Sequence, residues 1–235
     1  MLHLSDSEIQ EEVKNLVTKK FPWDMKKSLE LALLRSLSVP SISSLLQKTG
    51  RFYENTDERV EKIDVSVMTL FLYGYDSTEG KDIIQRINRA HRPSPISNEE
   101  YLFVLSTFIF VPMRWIDLVG RRKLSKKEEF VWYSFWREIG KRMGMKDIPA
   151  DLEGMTRWTD DFEEKNVAYS KDNEGIANKV VTRLTEHLNL PRWFVILFIS
   201  SMLDERTAAA LGIGSPSFLL RQVVLFFLRL RNKIL

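Results

Sequence analysis

Three histidines and no cysteine set the chemistry open to this 235-residue chain. Without a thiolate, cysteine nucleophiles, zinc fingers, cysteine-held iron–sulfur clusters and thiolate-ligated haem are excluded, and no disulfide can form. His3 stands at a terminus prone to fray. His187 sits in LTEHLNLP near a helix end, where the helix dipole favours a surface histidine. His91 is placed differently: it closes QRINRAH, just before RPSP and ahead of a long apolar run. Two roles fit it, a helix-end histidine bonded to a carbonyl or a metal ligand. An iron site of several protein ligands would have to recruit His187 or His3 from far along the chain, and no HExxH occurs. One histidine suffices for haem, whose porphyrin supplies four ligands itself.

No GxGxxG, P-loop or GxSxG is present. GIGSP at 212–216 reads as a helix stop, and DDFEE at 160–164 as an exposed helix face.

The elements that must position His91 are helical by periodicity. Ser5 or Ser7 caps a first helix to about Lys20, and Asp24 caps MKKSLELALLRSL, which stops before Pro40. A short helix runs from about Ile42 to Gly50, and another from about Thr56 to Tyr73, closed by Gly74. Ser77 opens the helix that ends at His91, and Pro93 and Pro95 terminate it. Ser97 with Glu100 forms a capping box for an apolar helix to Val119, inside which Pro112 predicts a kink. This helix, 97–119, is apolar on nearly every side and therefore central; Arg114 and Asp117 can pair on one face. Ser125 with Glu128 caps the next, to about Met143. Segments near 151–170, 173–189, 192–211 and 216–233 follow. The pattern predicts an all-α single domain over 1–235, a bundle of roughly ten helices around the 97–119 helix.

Composition fits a globular chain: 44% hydrophobic and 29% charged. A net charge of +3 gives no footprint for nucleic acid. The N-terminus lacks the pattern of a secretory signal. The longest uncharged stretches, Tyr101–Met113 and Thr207–Leu220, fall short of the roughly 20 residues of a spanning helix. The expected location is cytoplasmic or peripheral to a membrane. The end of the chain, SFLLRQVVLFFLRLRNKIL (217–235), carries basic residues and no acid. It fits either peripheral membrane contact or a docked helix with its basic side outward.

The stretch INRAHRPSPISNEEYLFVLSTFIFVPMRWIDLVGRRKLSKKE, continuing into YSFWREIGKRMGMKDIP, resembles the rubber oxygenase (latex-clearing protein) and mycophenolate-pathway oxygenase (MpaB-like) family. The resemblance is dense from about Gly50 to Pro149 and looser beyond. It implies an all-α fold holding one haem b, with His91 as axial ligand to iron. It also implies an arginine and a threonine four residues apart beside the haem. Arg59 matches the arginine, whereas Ile63 stands at the threonine position and offers no hydrogen bond. Thr56 lies a turn before Arg59, and Lys62 three residues after it. Arg59 and Lys62 are the candidate catalytic cations, able to stabilise charge on dioxygen or to bind a propionate; a solvated face is the plain alternative. Arg86 and Arg89, on the His91 helix, are further candidates for propionates. Arg114 and Trp115 match the family's PxRWI and are expected to be structural, with Arg114 paired to a carboxylate and Trp115 in the core. Trp136 and Arg137 are expected to be similar. The implied reaction is haem-dependent oxygenation of an apolar, unsaturated, isoprenoid-like small molecule or lipid, with dioxygen taken up opposite His91. The alternative is a haem-binding or haem-free member without catalysis.

Overall fold

The computed structural model describes residues 4–49, 56–92 and 94–231, with the side chains of 56–60 left aside. Among the described residues there are twelve α-helices and no strand. They are α1 (Asp6–Asn15), α2 (Pro22–Ser36), α3 (Pro40–Lys48), α4 (Thr56–Tyr73), α5 (Thr78–His91) and α6 (Asn98–Val119). Then come α7 (Lys126–Arg142), α8 (Leu152–Asn166), α9 (Lys171–Leu188), α10 (Arg192–Met202), α11 (Glu205–Ala210) and α12 (Phe218–Arg231). A π-helical turn, Leu16–Lys20, joins α1 to α2.

The local signals fall where the sequence puts them. Ser5, Ser97 and Ser125 each form a complete capping box, with Glu8, Glu100 and Glu128. The helix α6 is the axis of the fold: it packs along α2 and also meets α7, α8 and α12. Twelve of its side chains are buried, on every side. Ser106 and Thr107 satisfy their buried hydroxyls on carbonyls within the helix. Pro112 sits inside it, and α6 continues to Val119. At 22 residues α6 is one continuous helix long and apolar enough to cross a membrane, which the uncharged stretches alone did not suggest. Two-thirds of its most apolar window (67%) is buried within the protein, as suits a core helix.

Several expectations change. Asp24 does not cap α2, which starts at Pro22; its buried carboxylate accepts from Trp115 Nε1 at 2.9 Å instead. Arg114 and Asp117 do not pair: Asp117 meets Lys123 at 2.8 Å, and Arg114 lies exposed over the Phe110 ring. The 192–211 segment breaks into α10 and α11, because Asp204 leaves the helix to cap Thr207 N and to meet Arg35. The DDFEE face is not wholly exposed. Phe162 packs in a small apolar cluster, and Glu163 is buried against Arg35, 2.6 Å from its Nη2. Arg35 is itself 5% exposed and so ties α2 to α8 and to the α10–α11 link.

Candidate functional site

The hairpin of α4 and α5 carries the candidate site. Gly74 ends α4 with φ +82°, a conformation open to glycine at little cost. Ser77 caps α5, accepting from Gly80 N at 2.8 Å. A Cβ on Gly80 would stand 2.0 Å from the Gly74 carbonyl oxygen, so only glycine lets the two segments approach this closely. The chain therefore turns back sharply and lays α5 beside α4. Arg59 lies 15 residues before Gly74, and His91 lies 14 residues after Ser77. At an equal helical rise, the two positions fall at about the same level of the hairpin.

On α5 the inward stripe reads Gly80, Ile83, Ile84, Ile87 and His91, at helical spacing. His91 is the last residue of that stripe. It is half-buried and meets Tyr101 edge-on, with ring centroids 5.6 Å apart. A pocket of about 480 Å³ opens beside it, lined by His91, Arg92, Ile96, Tyr101, Met143 and Met145, with Lys146 at its border. That size falls in the range of about 300–1,000 Å³ typical of small-molecule and cofactor sites. Burial raises the Tyr101 phenol above its ordinary value. The far wall is held by polar clamps. Asn88 donates to the Arg142 carbonyl at 3.2 Å, and Asn98 exchanges two hydrogen bonds with the Lys146 backbone, at 3.0 and 2.8 Å.

The other sequence candidates are placed unevenly. The side chain of Arg59, and that of Thr56, lie outside the described residues. Lys62 is exposed and Ile63 half-buried on α4, and neither lines the described part of the pocket. Arg86 and Arg89 are exposed and also stand off it; Arg92 lines it instead. His187 is exposed in the last turn of α9, and His3 lies outside the described residues. Among the described residues no group of three or more His, Asp or Glu could hold a metal ion.

Arg92, Tyr101, Met143, Met145 and Lys146 were not singled out from the sequence. Arg92 adjoins His91, and the methionines sit in the GKRMGM run, so a signal existed for both. Trp115 and Trp136 are buried as expected, and Arg137 donates to the Pro149 carbonyl. A second pocket, of about 460 Å³, surrounds Arg35, Arg114, Glu163 and Asp204.

The fold and the site define a helical protein that presents a single histidine, from the end of a buried stripe, to a ligand-sized pocket. The chain belongs to the family described as ER-bound oxygenase mpaB/B'/Rubber oxygenase, catalytic domain, whose profile matches residues 53–231. It is similar to ER-bound oxygenase mpaB' of Penicillium brevicompactum, 25% identical over 238 residues, covering 92% of this chain and 56% of that protein. It is also similar to ER-bound oxygenase mpaB of Penicillium roqueforti (strain FM164), 26% identical over 246 residues, covering 90% of this chain and 77% of that one. The chain thus spans little more than half the length of the Penicillium brevicompactum relative.

Proposed function

We propose that this chain is a haem b-dependent oxygenase acting on an apolar, unsaturated, isoprenoid-like substrate. The observation that carries the reading is His91, lining a cofactor-sized pocket at the end of the inward stripe of α5. The lining suits a flat macrocycle: Ile96, Met143 and Met145 offer apolar contact, and Arg92 and Lys146 offer cations for propionates. Family membership supports oxygenase chemistry. The relatives' names place them at the endoplasmic reticulum, a setting in keeping with an apolar substrate.

In this reading His91 provides a neutral imidazole nitrogen to iron. Haem, when bound, supplies the redox iron that activates dioxygen. Tyr101 meets the His91 ring edge-on and restricts its rotation. Arg59, level with His91 on the hairpin, is the cation proposed to steady negative charge developing on oxygen, and Lys62, exposed and off the described lining, would have to act from outside it. Purified protein supplied with haem should consume oxygen when given a polyisoprenoid or another unsaturated lipid. Absence of uptake over the haem-only background contradicts the catalytic reading.

Ile63 favours a second reading, a haem-binding member without oxygenase turnover, since it removes a hydroxyl that the family places near Arg59. Robust oxygen uptake by the unaltered chain excludes it.

A further inference from the structure

The helix α12 is packed inside out. Its arginines bond back to the protein: Arg221 Nε donates to the Ser201 carbonyl at 3.1 Å, Arg231 Nη2 to Asp24 at 2.7 Å, and Arg229 Nε, on a side chain that stays exposed, to the Leu118 carbonyl at 2.7 Å. Between them Leu225 is buried. The opposite stripe, Leu219, Val223, Phe226 and Leu230, follows helical spacing and faces solvent, joined by Phe227. Leu219, Phe226 and Phe227 are 75%, 60% and 63% exposed. On α10, against which α12 packs, Trp193 is 67% exposed and Phe194 is bare beside it. Large apolar side chains left in water along one face mark an interaction site.

Charge says what covers it. Segments 187–203 and 212–231, which build this face, contain no Asp or Glu. Arg192 bonds Thr182 and Asn178, and Arg221 and Arg229 bond carbonyls. Among the described residues Arg192 and Arg229, both exposed, have only neutral hydrogen-bond acceptors, whereas the half-buried Arg221 shares a pocket with Asp117, Glu163 and Asp204. A second copy of the chain is a poor cover, because two-fold pairing would bring the same cations against one another. A surface of Phe, Trp and Leu bordered by the exposed Arg192 and Arg229 matches a bilayer interface: rings and aliphatic chains enter the acyl boundary while these two cations meet lipid phosphates.

We infer that the outward face of α12, with Trp193 and Phe194, docks the protein on a membrane containing anionic lipid. The inference stands apart from the haem reading and holds for apo-protein. The full chain is sedimented with phosphatidylcholine vesicles, with and without phosphatidylserine. Wild type should pellet with the anionic vesicles and several-fold less with phosphatidylcholine alone. The variant Phe226→Ser/Phe227→Ser, altered only at outward positions, should bind at least tenfold more weakly, with helix content and melting unchanged. Trp193→Ser, on a different helix, gives the same test if the double variant loses structure. Arg192→Gln should weaken binding to the anionic vesicles alone. Absence of vesicle binding by wild type, or equal binding by wild type and the serine variants, overturns the inference. So does a wild-type dimer in light scattering that the serine variants convert to monomer, which would assign the face to a second copy.

Discussion

Arg231 donates to Asp24 Oδ1 at 2.7 Å, joining positions 207 residues apart. The same oxygen accepts from the Trp115 indole at 2.9 Å, and the Arg231 guanidinium lies 3.6 Å from the centre of the Trp23 ring. One buried carboxylate therefore ties α2, the axial helix α6 and the end of α12 together. Asp24→Ala removes the acceptor of a fully buried indole N–H and the ionic partner of a mostly buried arginine. The expected loss is about 3 kcal/mol, or roughly 6–12 °C in melting temperature. Asp24→Asn keeps an acceptor for Trp115 and should cost less. Thermal unfolding followed by circular dichroism measures both; an unchanged melting temperature in Asp24→Ala contradicts the linkage.

The Arg35–Glu163–Asp204 cluster predicts an acid limb in stability. Burial alone would raise the Asp204 carboxyl, but the charge and hydrogen bond of Arg35, with two donors from Thr207, hold it at about 2. The folded value lies below the unfolded value of about 3.9. The stabilisation is therefore present above about pH 4 and is lost as the pH falls towards the folded value. The Asp204 side chain is 42% exposed, so solvent screening leaves about 1 kcal/mol. Asp204→Asn should flatten the stability curve between about pH 4 and 2 relative to wild type. Chemical denaturation across that range is the measurement, and parallel acid limbs in the two proteins count against it.

These two clusters show which features the sequence reveals. Capping boxes at Ser97–Glu100 and Ser125–Glu128 are legible because every atom involved lies within four residues. The centrality of α6 is legible because its apolar residues leave no polar face. Asp24 and Glu163 are misassigned because their partners, Trp115 and Arg35, are 91 and 128 residues away. A carboxylate near a helix start or in an acidic run looks solvated until such a partner is known. The same holds for α12. Its arginines read as an outer basic side, whereas they bond distant carbonyls and Asp24 and leave the apolar side bare. At the site, the helix-end position of His91 leaves two roles open, and it is the family resemblance that points to a ligand. Met143 and Met145 carry a signal in the GKRMGM run, but that they and Lys146 reach the pocket depends on the loop after α7.

Gly80 should be intolerant of a side chain. A Cβ there meets the Gly74 carbonyl oxygen at 2.0 Å and the Tyr75 Cα at 2.9 Å, both backbone atoms that cannot rotate away. Gly80→Ala must push α5 from the 74–75 turn, at a cost of about 3 kcal/mol. Because Gly80 and His91 share one stripe, the displacement carries to the pocket, and haem affinity should fall with stability. Gly214→Ala, where an added Cβ meets nothing within 4 Å, serves as the neutral comparison. Equal melting temperatures for the two variants contradict the close approach.

The central claim, that His91 presents a nitrogen to haem iron, is tested most directly by one absorption spectrum. Wild-type protein reconstituted with haem should show a Soret band characteristic of histidine ligation. His91→Ala, folded to the same helix content, should lose that band or shift it to that of free haem, and exogenous imidazole should restore it. A wild type that takes up no haem, or a Soret band unchanged in His91→Ala, contradicts the account.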